Sequence, residues 1–110
     1  MDAFAAWLRA AGWAVRTEVD SADVVAERDG VRLICEAKGR TTDPGTDVDT
    51  AYGQLLRRMP TEDDPKARFC LVMRDEPRSI RAALRVNERV RASLRITLYA
   101  VAENGTVRVA

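Results

Sequence analysis

The sequence predicts an α/β domain, a β-sheet covered by helices, in the order helix, three strands, helix, strand, helix, strand and a short closing strand. Three observations carry this. Between Ala22 and Lys38, two apolar-rich runs flank Asp29-Gly30, and Asp-Gly in that setting is the strongest short-range signal for a two-residue hairpin. Arg68 to Met73 is a short continuous apolar run bounded by charge, which fits a buried central strand. Stretches with apolar residues three and four apart, punctuated by Gly or Pro, alternate with these runs and read as helices.

The chain's 110 residues make a single domain, 1–110, with room for a core but not for a separate recognition module. Apolar residues at 46% and charged residues at 32% are the composition of a soluble globular protein. No apolar run approaches the roughly 20 residues needed to span a bilayer, and the start carries no secretory pattern, so the expected compartment is the cytoplasm. Cys35 and Cys70 lack metal-site spacing and are expected as reduced core residues, with an inter-strand disulfide the less favoured alternative. The absence of histidine excludes His-based triads, Cys-His pairs and His-ligated zinc. Any catalysis must use carboxylates, lysine and a hard metal. A net charge of +1 gives no global attraction to nucleic acid, so binding would rest on local patches.

Asp2 to Ala11 reads as an amphipathic helix with Phe4, Trp7, Leu8 and Ala11 at helical spacing, stopped by Gly12. Trp13 to Val19 is the first strand. The hairpin follows, then a turn-rich loop, Gly39 to Asp47, suited to a connector or to a flap. Asp47 caps a helix from about Val48 to Met59, ended by Pro60, with Val48, Ala51, Tyr52, Leu55 and Met59 as its buried stripe. Thr61 to Lys66 is a solvated acidic turn. Pro77 to Arg95 reads as one long helix with Ile80, Ala83, Leu84, Asn87, Val90 and Leu94 facing inward. Its other face carries Arg78, Arg81, Arg85 and Arg89, then Arg91 and Arg95, against a single acid, Glu88, a ladder that suits phosphate contacts and, slightly better, a solubilising surface. Ile96 to Ala102 and Thr106 to Val109 close the sheet around Asn104-Gly105.

The chemistry concentrates at the open end of the central hairpin. With Arg28 opposite Val31, Asp23 falls opposite Glu36, and alternation puts Asp23, Val25, Glu27, Ile34, Glu36 and Lys38 on one face. Opposed residues on an antiparallel pair have Cβ atoms about 5 Å apart, where like charges are destabilising. Lys38 would offset part of the repulsion as an ordinary ion pair. A divalent cation would offset it too, since Mg²⁺ takes one or two carboxylates together with water and phosphate oxygens. Of the 18 basic residues only Lys38 and Lys66 are lysine, which makes a lysine at this point informative.

Asp23, the string Cys35-Glu36-Ala37-Lys38-Gly39-Arg40-Thr41 and a downstream helix carrying Gln54 resemble the PD-(D/E)XK nuclease superfamily. The resemblance implies a restriction-endonuclease-like core, a central mixed β-sheet flanked by helices. It further implies a metal-dependent phosphodiesterase acting on DNA, or on RNA, with low intrinsic sequence specificity. By the same resemblance Asp23, Glu36 and the backbone carbonyl of Ala37 would hold Mg²⁺ or Mn²⁺, Lys38 would orient or activate water, and Gln54 would position water or phosphate. Gln54 equally suits a solvent-facing helix position. Arg40, Arg57 and Arg58 are the expected nucleic-acid contacts. No organic cofactor or membrane partner is expected, and the small size suggests a homodimer. A catalytically silent binding or assembly module with the same fold is the alternative.

Overall fold

The computed structural model of the chain describes residues 2–19, 22–37 and 44–110. Its elements run α1 (Asp2–Ala10), β1 (Ala14–Val19), β2 (Ala22–Arg28), β3 (Val31–Ala37), α2 (Pro44–Arg57), β4 (Ala67–Arg74), α3 (Pro77–Ala83), α4 (Glu88–Ser93), β5 (Ile96–Val101) and β6 (Val107–Val109). One six-stranded sheet holds all the strands in sequence order, β1-β2-β3-β4-β5-β6. The pairs β1/β2, β2/β3 and β5/β6 are antiparallel, whereas β3/β4 and β4/β5 are parallel. Parallel neighbours require crossovers, and α2 and the α3–α4 segment supply them. The mixed sheet flanked by helices is the α/β architecture that the sequence predicts, compatible with a restriction-endonuclease-like core.

The central hairpin has the expected register, from Val24↔Cys35 to Arg28↔Val31. Its turn needs two residues at positive φ, and Asp29 (φ 52°) and Gly30 (φ 81°) provide them. Two apolar clusters sandwich the sheet. On one side α2 and α3 pack Val48, Leu55 and Ala83 against Ile34, Leu71 and Leu98. On the other, α1 packs Phe4 and Leu8 against Val24, Leu33, Cys35 and Cys70.

Four expectations change. The second helix begins at Pro44 rather than near Val48. Pro-Gly reads as a turn, yet proline suits the first helical turn because its missing N–H would be unpaired there anyway. The third helix is two helices. Asn87, expected on an inward stripe, instead caps α4, its Oδ1 accepting from Val90 N at 3.0 Å, and an asparagine so placed starts a helix rather than continuing one. Leu84 and Val90, expected inward, are consequently exposed at 44% and 39%. Trp7 is exposed too, packing only in part on Phe4 and Tyr99, and Ala11 is exposed because α1 ends at Ala10 and the chain turns at Gly12. Finally, Cys35 and Cys70 form a disulfide. The parallel register sets them directly opposite each other with Cα atoms 4.6 Å apart, a placement that spacing along the chain does not reveal.

Among the described residues, no helix is long and apolar enough to cross a membrane.

Candidate active site

The antiparallel pairing of β2 and β3 brings the start of one beside the end of the other. Asp23 and Glu36 therefore meet at the sheet's open end, just beyond the Val24↔Cys35 pair. The two carboxylates have separate partners. Ala37 N–H donates to Asp23 Oδ2 at 2.8 Å, a charge-assisted bond that closes the strand end.

Glu36 shares the face of Ile34, toward α2, and is buried to 3% exposure. A carboxylate buried that far needs a countercharge. Arg58, the residue after α2, brings its Nε to 3.4 Å from Glu36 Oε1, with its own side chain 25% exposed. The charge repulsion inferred from the sequence is thus offset in part from within the chain. Arg58, which the sequence suggests for a phosphate, here pairs with a carboxylate.

Gln54 lies four residues before Arg58, one helical turn back along the same flank of α2, and is half-buried. Arg57 closes α2 and is exposed. Ala37 ends β3. Lys38 and Arg40 lie outside the described residues.

Two further ties hold the site's supports. The Tyr52 hydroxyl on α2 donates to the carbonyl of Ala83 at 2.6 Å, fastening α2 to the end of α3. Burial pushes that hydroxyl above the ordinary phenol range, with Arg91 opposing the shift and Asp49 adding to it. The Cys35–Cys70 link joins β3 to β4 immediately before Glu36. Neither the Glu36–Arg58 pair nor this link is legible in the sequence, since both join residues distant along the chain. The one available signal was a cysteine in each of two adjacent strand-like runs.

The donors gathered here are oxygens, the type preferred by Mg²⁺ and Mn²⁺. Among the described residues no cluster of three or more His, Cys, Asp or Glu side chains forms a metal cage. Two carboxylates and a main-chain carbonyl are nevertheless a sufficient protein contribution for Mg²⁺, which keeps several waters and takes substrate phosphate oxygens. The residues present fit such an ion in kind.

Fold and site together define an α/β domain, a six-stranded mixed sheet flanked by helices and compatible with a restriction-endonuclease-like core, with a pair of carboxylates at its central strand ends. Among solved structures, the chain is similar to an fdxN element excision controlling factor protein from Anabaena variabilis, with 17% identity, a TM-score of 0.63, and coverage of 98% of this chain and 97% of that one. It is also similar to an XisH family protein from Nostoc punctiforme, with 16% identity, a TM-score of 0.57, and coverage of 92% and 89%. At these identities the likeness is one of fold. No protein-family model matches the chain, and no curated protein sequence matches it significantly.

Proposed function

We propose that the chain is a metal-dependent phosphodiesterase of the PD-(D/E)XK type that hydrolyses DNA with little sequence preference of its own. The observation that carries this reading is the convergence of Asp23, Glu36 and Ala37 at one strand end, on a fold shared with a protein named for control of fdxN element excision. Asp23, Glu36 and the Ala37 carbonyl would hold Mg²⁺ or Mn²⁺. When bound, the ion supplies Lewis-acid charge stabilisation and a lowered pKa for water, chemistry that a histidine-free chain otherwise lacks.

The chain's own residues divide the remaining work. The Ala37 amide orients the Asp23 carboxylate through its hydrogen bond. Arg58 balances Glu36 until substrate arrives, and Lys38 holds and positions the attacking water. Gln54 orients water or a phosphate oxygen, while Arg57 and Arg40 contact the backbone, which reads no sequence. Pairing of two copies would suit cutting both strands, and sedimentation showing a monomer at all concentrations would remove that element.

The Glu36–Arg58 contact favours a second reading, a silent module of the same fold in which arginine permanently replaces the cation. Nicking of supercoiled DNA with Mn²⁺ or Mg²⁺ separates the two. For the enzyme, Asp23→Ala and Lys38→Ala each lower the rate by about a hundredfold or more. Absence of cleavage, or cleavage that survives both substitutions, assigns the chain to the silent class.

A further inference from the structure

The side of the sheet covered by α1 carries a second feature, at the opposite end from Asp23 and Glu36. The nine residues of α1, about 14 Å long, cross the sheet from β6 to β1. A cleft lined by Trp13, Val31, Leu33 and Thr97 is left on this face near the starts of β3, β4 and β5. The burial of β5 differs between the two faces: Ile96, Leu98 and Ala100 are buried on the α2 side, while Thr97, Tyr99 and Val101 are only half-buried on the α1 side.

That cleft lies at the open end of this face, and a second joins it around the end of the sheet, on the side where α4 packs on β5. The first, about 240 Å³, has an apolar and aromatic lining of Trp13, Val31, Leu33 and Tyr99, with Arg28 and Arg68 beside it. The second, about 550 Å³, holds Arg68, Arg91 and Arg95 against Ile96, Thr97 and Val109. Arg68 and Thr97 line both, so the clefts meet there, and the register agrees, with Arg68 opposite Leu33 and Thr97 opposite Cys70.

The arginines are held in place by the fold. Arg68 Nη1 donates to the carbonyls of Pro65 and Ala67, each at 2.8 Å, and Arg91 Nε donates to the carbonyl of Val86 at 2.9 Å. Among the described residues no other hydrogen bond engages the guanidinium of Arg68 or Arg91, so their remaining N–H groups can meet an incoming acceptor. Arg95 differs, because Nη1 is bound to the Asp64 carbonyl and Nη2 to Asp63. Arg28 donates to the Ala11 carbonyl and lies 4.6 Å over the Trp13 ring, which presents a flat cationic surface. Asp29 and Glu88 each line one cleft and neither is at the junction, which confines favourable anion contact to the region of Arg68.

A flat aromatic and guanidinium surface that continues into fixed arginines matches one ligand chemistry, a base followed by its phosphate. Bases stack on aromatic rings and on guanidinium planes, and arginine forks take phosphate oxygens. We propose that this groove binds a nucleoside phosphate unit, with the base against Trp13 and Arg28, beside Tyr99, whose ring packs on Phe4 and Trp7, and with the phosphate at Arg68 and Arg91. The unit belongs to a free nucleotide or to a single strand passing along the sheet end. Burial raises the pKa of the Tyr99 hydroxyl, with Arg28 opposing, so at neutral pH it keeps its proton and can donate to a base. This groove is independent of the carboxylate site and needs no metal.

The test is fluorescence anisotropy of a labelled oligothymidylate roughly ten nucleotides long, in the presence of a chelator, with thymidine monophosphate as competitor. The proposal expects saturable binding that weakens with salt and loses about tenfold in affinity in Arg68→Gln, Arg91→Gln and Trp13→Leu. Arg78→Gln, which alters an exposed arginine of α3, leaves affinity unchanged. Full competition by the mononucleotide makes the source a free nucleotide, and competition only by oligonucleotide makes it a strand. Either result supports the groove. No binding, or equal losses in Arg68→Gln and Arg78→Gln with all variants folded by circular dichroism, overturns it. Because catalysis and metal play no part, this outcome is separate from that of the nicking assay.

Discussion

The two faces of the sheet are covered unequally. On one, α2 and α3 bury a broad cluster that includes Leu55, Phe69, Leu71 and Leu98, and the helices also deliver Arg58 to Glu36. On the other, one nine-residue helix rests on a smaller cluster through Phe4 and Leu8, with the Cys35–Cys70 link beneath it. Thick cover makes a buried carboxylate tenable, because a second layer can supply its countercharge. Thin cover leaves aromatic and arginine side chains at the surface, where they are available to a ligand.

The comparison is broken most strongly at the disulfide, if the link compensates for the thin side. It closes a separation of 35 residues, for which chain-entropy reasoning expects about 4 kcal/mol. Urea unfolding with and without dithiothreitol, or of the Cys35→Ala and Cys70→Ala double variant, measures it. Coincident curves would mean that the thin side stands without its link.

Next comes the countercharge on the thick side. Arg58→Ala leaves Glu36 buried without that partner, an expected loss of about 3 kcal/mol. Added Mg²⁺ should restore part of it under the enzyme reading and none under the silent one. A thermal melt of the variant against Mg²⁺ concentration distinguishes them.

Tyr52→Phe removes the α2–α3 tie without changing shape and should cost about 1 kcal/mol, measured by the shift of the denaturant midpoint. A change in nicking rate beyond that of stability would show that the tie also positions α2 for the site.

The smallest effect lies at the sheet edge. Arg108 Nε and Nη2 each approach Asp75 at 2.8 Å, tying β6 to the turn after β4. The hydrogen bond from Arg108 is the main reason that the Asp75 carboxyl titrates below its usual range. A carboxylate whose pKa is lowered by folding adds stability at neutral pH and loses it as pH falls through the carboxylate range. Asp75→Asn should therefore fall slightly below the parent protein at neutral pH and converge with it in acid. Parallel curves at every pH would discount the pair.

The sequence by itself determined the order of the strands and helices, apart from the division of the third helix, together with the hairpin register and the acidic strand end. Those features rest on local physics: Asp-Gly favours a tight turn, side chains alternate along strands, and apolar residues recur at helical spacing. Asn87 and Pro44 show the limit of local reading, because each fits either side of a helix boundary and packing selects one. Only the tertiary structure decided that Arg58 meets Glu36, that Cys35 meets Cys70, and that Arg68 joins two clefts. Each of these depends on which strands lie side by side and on how far a helix reaches across them, and neither is encoded in any short stretch of chain.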